Sequence, residues 1–219
     1  MSQNKYNLSG VKMIALIISV FCLTNTIKAQ EYAPSFARLT DINVSVNGND
    51  LLFPWLGGLN NPQFSEGDLN NDGIKDLFVF DRAGDKLLTF INNGTPNTVD
   101  YAYDPSYEKH FPTLENWALL RDYNCDGIVD LFAAAGNDGM KVYRGFFEEG
   151  NRIKFELTYT QLSHDGAANN LYVAIYDIPA IEDVDGDGDL DIVTFASSGG
   201  YVYLYKDIDD SCDELTYSL

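Results

Sequence analysis

Residues 183–192 read Asp-Val-Asp-Gly-Asp-Gly-Asp-Leu-Asp-Ile, five aspartates on alternate positions with Gly188 at the sixth place. Two other stretches share the spacing: Asp68 to Leu77 (DLNNDGIKDL) and Asp122 to Leu131 (DYNCDGIVDL). All three fit D-x-[DN]-x-D-G-x-x-D-[LI], and their starts lie 54 and 61 residues apart. Three copies of a five-position pattern mark an internal repeat, and a repeat decides the architecture before any single element does.

The flanks repeat as well. A short strand-like run precedes each acidic stretch, at Gln63 to Gly67, Trp117 to Arg121 and Pro179 to Glu182. An apolar run follows each, at Leu77 to Phe80, Leu131 to Ala134 and Ile192 to Phe195. Gly/Asp turns then fall at one offset, at Gly84, Asp138-Gly139 and Gly199-Gly200. A third run comes next, at Lys86 to Asn92, Met140 to Arg144 and Tyr201 to Lys206. Short runs rich in Val, Ile, Phe and Tyr between such turns predict antiparallel hairpins. Fourth strands are expected at Val99 to Tyr103 and Ile153 to Thr160, while 162–171 is ambiguous. No long helix is apparent. One small sheet cannot bury both of its faces alone, so the sheets must pack on one another. The expected fold is all-β: antiparallel blade repeats of a β-propeller. Three units are expected, at about 63–112, 113–175 and 176–219. Residues 30–62 would add N-terminal strands, with a hairpin around Asn47-Gly48 supplying an outer strand.

Each acidic stretch offers side-chain oxygens at positions 1, 3, 5 and 9. Alternate positions let a tight loop turn several oxygens toward one hard cation, and glycine at position 6 permits the bend. Position 7 would contribute its backbone carbonyl. The first candidate site is Asp68, Asn70, Asp72, Ile74 and Asp76. The second is Asp122, Asn124, Asp126, Ile128 and Asp130. The third is Asp183, Asp185, Asp187, Asp189 and Asp191. An all-oxygen set favours Ca²⁺ over zinc or copper, and Mg²⁺ prefers to keep several waters. Up to three Ca²⁺ ions are expected. Crowded bare carboxylates raise each other's pKa values, and a divalent ion reverses that interaction. An EF-hand is excluded, since position 12 is Val79, Ala133 and Thr194 and the flanks are β-formers rather than helices.

On these loops and the apolar runs behind them, the unit resembles the FG-GAP/VCBS-type repeat of integrin α-subunit propellers and many secreted bacterial proteins. The resemblance covers roughly residues 60 to 210. It implies a Ca²⁺-binding loop between the first two strands of each blade, and a propeller that supports adhesion or ligand binding. The FG-GAP signature itself is poor here, and the bacterial VCBS-like variant fits better. Closed propellers have at least four blades, so three units cannot close a ring. The expectation is an incomplete propeller, from a fragment of a longer protein. The rival is a short protein that oligomerises or packs as an open array.

Composition narrows the partners. The chain has 219 residues, 33 acidic and 14 basic side chains and a formal charge of −19, with a sequence pI near 4.1. That charge repels nucleic acid and anionic membrane surfaces and suits multivalent cations. Lys5 and Lys12, the apolar Met13 to Leu23 and a polar stretch ending at Ala29 read as a secretory signal peptide over 1–29. Eleven apolar residues are too few to span a bilayer. Bulky Phe21 before Cys22 disfavours a lipoprotein signal. The expected location is secreted or cell-surface, with no membrane span after cleavage and an extracellular protein or carbohydrate as partner. For Cys125 and Cys212, 87 positions apart, a mutual bridge, a bridge elsewhere and two free thiols all stay open.

Catalysis finds little support. GxSxG, HExxH, P-loop and Rossmann patterns are missing, and His164-Asp165 reads as a surface-loop feature. The alternative function is the scaffold of an extracellular polysaccharide lyase or hydrolase whose site lies in other blades. Tyr101, Tyr103 and Tyr107, and Tyr201, Tyr203 and Tyr205, read as strand faces packed between blades, and Trp55 and Trp117 as core.

Overall fold

The computed structural model describes residues 39, 42–166, 169–209, 212 and 214–219. The signal-peptide reading of 1–29 lies outside them. The chain divides into two units at Asn43/Val44, and the strands among the described residues belong to the second, Val44–Leu219.

Among the described residues the chain is all-β, with a single turn of 3-10 helix at Glu108–His110. Strands β1 (Ser45–Val46) and β2 (Asn49–Asp50) form a minimal exposed hairpin that joins no other sheet. The expected outer strand is thus not supplied here. Residues 51–55 carry no strand, and Trp55 is 40% exposed rather than core.

Three larger sheets follow, and each contains the predicted hairpin. The first is β3 (Pro62–Gly67), β4 (Asp76–Asp81), β5 (Lys86–Asn92) and β6 (Tyr101–Tyr103), paired in chain order. The second is β7 (Ala118–Arg121), β8 (Asp130–Ala135), β9 (Gly139–Glu148) and β10 (Arg152–Tyr159), again in chain order. The third needs strands from beyond its own repeat. It holds β11 (Ser163–His164), β12 (Asn169–Asn170), β13 (Ala180–Glu182), β14 (Asp191–Phe195), β15 (Val202–Asp207) and β16 (Tyr217–Ser218), in the order β12-β11-β16-β15-β14-β13. β16 takes the place beside β15 that β6 takes beside β5, and the ambiguous 162–171 stretch is the β11–β12 hairpin. All pairs are antiparallel except β11 with β16. The acidic loops sit at one register throughout: Gly67 pairs with Asp76, Arg121 with Asp130 and Glu182 with Asp191.

The sheets pack face to face because their strands carry apolar residues on the facing sides. Leu69, Phe78 and Phe80 of the first meet Leu120, Leu131, Ala133 and Ile153 of the second, with Phe111 stacked 5.0 Å from Phe78. Trp117, Phe132, Met140 and Val142 of the second meet Ile181, Ile192, Tyr205 and Tyr217 of the third. Val79, Leu88 and Phe90, on the far side of the first sheet, are covered by Phe53, Leu56, Tyr101 and Tyr103. Trp117 and Tyr205 are therefore core, whereas Tyr201 is exposed.

Polar contacts fix the spacing of the inner strands. Gln63 Oε1 and Ser65 Oγ accept the β7 backbone N–H groups of Ala118 and Leu120, at 3.2 and 3.1 Å. Arg121 Nε donates to the Ile181 carbonyl at 2.8 Å, and its guanidinium pairs with Glu182. The inner edges of β7 and β13 thus find partners in side chains of the preceding sheet, which blunts otherwise unpaired edges.

Candidate metal centres

The three acidic loops share one turn geometry. Gly73, Gly127 and Gly188 at position 6 have φ of 80°, 83° and 106°, a region costly for a residue with a Cβ. Position 4 is also left-handed, at Asn71, Cys125 and Gly186. Position 1 then accepts the N–H of position 6: Asp68 from Gly73 at 2.8 Å, Asp122 from Gly127 at 2.9 Å, Asp183 from Gly188 at 3.1 Å. Position 5 accepts the N–H of position 7: Asp72 from Ile74 at 2.8 Å, Asp126 from Ile128 at 2.9 Å, Asp187 from Asp189 at 3.3 Å. Asn70 and Asn124 at position 3 each accept the N–H of position 5 at 3.1 Å. Such side-chain to backbone bonds build the turn from its own residues and hold the ligand-type oxygens at fixed points.

Position 9 does a different job. Asp76, Asp130 and Asp191 are fully buried. Each carboxylate accepts the N–H of position 2 with one oxygen and an N–H from the third strand or its end with the other. Asp76 takes Leu69 and Asn92, both at 2.8 Å. Asp130 takes Tyr123 at 3.0 Å and Gly145 at 2.7 Å. Asp191 takes Val184 at 3.0 Å and Asp207 at 3.2 Å. Position 9 is a strut between loop and sheet, and a carboxylate has lone pairs beyond the two used here. Burial pushes Asp130 up to about 7 against those two N–H bonds, with Asp126 and Asp122 adding to the rise. Burial raises Asp76 in the same way.

The loops differ in what meets their oxygens. In the third, Asp183, Asp185 and Asp187 bring one carboxylate oxygen each within 4.8 Å of one another, the only such acidic group among the described residues. Asp189 at position 7 has a buried oxygen, Oδ1, with no hydrogen-bond partner. Its pKa is raised to about 7 by burial, then by Asp187 and by the charges of Asp207 and Asp191. Asp122 Oδ1 in the second loop is likewise buried without a partner. Two loops hold a tethered cation: Lys206 Nζ lies 2.5 Å from Asp185, and Arg144 3.1 Å from Asp126. Those contacts draw the Lys206 and Arg144 pKa values up and Asp185 down. Both cations come from third strands, so the loop spacing gives no sign of them. In the first loop Asn70 Nδ2 donates to Asp72 at 2.9 Å instead. The orphaned carboxylate oxygens of the second and third loops and the all-oxygen donor set are what a hard divalent ion would use, while Lys206 and Arg144 each already take one loop carboxylate that such an ion would compete for.

Three further features are not part of the ligand pattern. Cys125, at position 4 of the second loop, is disulfide-bonded to Cys212, with Cα atoms 5.6 Å apart. A groove of about 680 Å³ runs along the inner strands, lined by Phe64, Glu66, Lys75, Arg121, Asp122 and Glu182 among others. That volume is within the usual range for ligand pockets. His164 Nδ1 lies 3.0 Å from Asp165, and the Ser218 hydroxyl donates to Asp165 rather than to the imidazole. This is not a nucleophile–base arrangement. No protein-family model matches the chain, and no curated protein matches it.

Proposed function

We propose that this is a secreted, calcium-braced β-repeat module whose three sheets are blades of a propeller-type array, serving adhesion or the binding of an extracellular protein or carbohydrate. The observation that carries the calcium part is the shared loop geometry, which gathers Asp183, Asp185 and Asp187 within 4.8 Å. Asp68, Asn70 and Asp72, and Asp122, Asn124 and Asp126, stand at the matching positions of the other loops. The ion would be held between the turn and the buried strut at position 9, so that loop closure and sheet stability become one equilibrium. It would also oppose the repulsion of a chain with net charge −19. Binding at such extracellular sites is weak, on the order of 10⁻⁴ to 10⁻³ M. The groove along the inner strands is a concave surface of suitable size for a ligand.

Calorimetry in EDTA and in millimolar CaCl₂ tests the reading. At a Kd of that order, 1 mM Ca²⁺ stabilises by roughly 0.4–1.4 kcal/mol per occupied site. The melting temperature should rise with Ca²⁺, rise less with equal Mg²⁺, and respond less in Asp187→Ala. Identical melts in EDTA and Ca²⁺ remove the calcium part of the proposal.

A further inference from the structure

The buried strut gives the three repeats a common origin. Its second oxygen accepts an N–H from Asn92 of β5, Gly145 of β9 and Asp207 of β15, at 2.8, 2.7 and 3.2 Å. The residues one place earlier in these strands are therefore equivalent: Ile91, Arg144 and Lys206. Two of the three are cations, and each is seated on a carboxylate of its own loop. Arg144 Nη2 lies 3.1 Å from Asp126 Oδ2 at position 5, and Lys206 Nζ lies 2.5 Å from Asp185 Oδ2 at position 3. Ile91 packs instead against the cluster between the first two sheets. Lys75, inside the first loop, pairs with Glu66 outside it. Among the described residues no cation pairs with Asp68, Asp72 or Asp76.

The first two loops make a matched comparison. Positions 1, 3, 5, 7 and 9 are Asp, Asn, Asp, Ile and Asp in both. Both turns are closed by the bonds from position 6 to 1, 7 to 5 and 5 to 3. They differ in what meets position 5. Asp72 Oδ2 accepts from the neutral Asn70 amide, whereas Asp126 Oδ2 accepts from the Arg144 guanidinium. A cation seated on a donor carboxylate must leave it when a metal ion enters, or stay as a like charge beside that ion, and either course lowers affinity. Leaving is open to both side chains, which have long stems and are 56% and 47% exposed.

We infer that Arg144 and Lys206 are built-in competitors of the divalent ion at the second and third loops, each lowering the affinity of its own site, and that the first loop has no such brake. The inference rests on the calcium reading and adds a regulatory element to it. Two of the three sites carry their own counter-charge in the ion-free state, so filling them exchanges one cation for another.

A CaCl₂ titration of the full chain followed by NMR tests this, because the amides of Gly73, Gly127 and Gly188 each report one loop. In Arg144→Leu the midpoint at Gly127 should fall by roughly three- to tenfold while that at Gly73 stays. Lys206→Met should lower the midpoint at Gly188 by a similar factor. Arg144→Lys should stay within about twofold of wild type, since the competitor is the charge and a lysine already serves in the third loop. Ile91→Lys should raise the midpoint at Gly73. An unchanged midpoint at Gly127 in Arg144→Leu or at Gly188 in Lys206→Met overturns the inference for that loop. A fall in Arg144→Lys as large as in Arg144→Leu overturns it as well, because the effect would then be one of shape. If none of the three glycines responds to Ca²⁺, the calcium reading fails and takes the inference with it. If they respond but ignore these substitutions, the inference alone fails.

Discussion

Replacing Asp130 by alanine would leave two buried backbone N–H groups, of Tyr123 and Gly145, without an acceptor. An orphaned buried donor costs about 1–3 kcal/mol, so the pair would cost roughly 2–6 kcal/mol. Part of this is offset, because the burial that raises Asp130 to about 7 also penalises its charge in the native state. A net loss of about 2–4 kcal/mol follows. For a domain of this size that lowers the melting temperature by on the order of 10 °C. The measurement is differential scanning calorimetry in EDTA, so that no cation contributes. Asp126→Ala is the internal control. It is in the same loop and the same candidate metal set, but it is exposed, and its loss should move the EDTA melt by less than about 3 °C. A melt of Asp130→Ala equal to wild type would refute the strut argument, and so would an equal loss in Asp126→Ala.

Three other outcomes can be checked by unfolding measurements. Asp81 is held below its usual pKa by the N–H groups of Asn61, Asn60 and Ala83, so its contribution is present above the unfolded value of 3.8 and lost as pH falls through the lower folded value. Asp81→Asn should therefore flatten the acid limb of a stability-against-pH curve measured by urea unfolding. A Cβ at Gly145 would fall 2.1 Å from the Val129 carbonyl oxygen, so Gly145→Ala should destabilise by about 1–3 kcal/mol in a denaturant titration. The Cys125–Cys212 bond closes an 87-residue separation, so Cys125→Ser with Cys212→Ser should lower stability by about 2–5 kcal/mol, and a reductant should do the same to the wild type alone.

The hairpins were legible because their signal is local. The acidic loop fixes where β3, β7 and β13 end, and the apolar runs after it have the length and residue types of strands. β11, β12 and β16 were not legible, because strands of two residues have no period to read. Their assignment depends on pairings such as Asp207 with Tyr217, which no motif announces. Trp55 misled because its place near the start of a unit argued for the core, while its neighbours Phe53 and Leu56 cover the first sheet instead. In the loops, spacing identified the oxygens but not their division of labour. Position 9 looks like any other aspartate until the sheet closes around it. Arg144 and Lys206 lie 18 and 21 residues beyond the aspartates they meet, a distance set by the third strand rather than by the loop. The pairing of the two cysteines could not be had from spacing, because it follows from how neighbouring repeats stack.

That pairing alters how the molecule would carry a load. Once β16 is peeled away, tension entering at the C-terminal end reaches Cys212 and passes straight to Cys125, bypassing everything between them. The bypassed segment contains the whole β13–β15 hairpin stack and the most acidic loop. At about 3.3–3.6 Å per extended residue, roughly 300 Å of contour length stays hidden from the pulling force. Strands β11 to β15 are then shielded under stress, and the second loop, at Cys125, becomes the point where the force is delivered.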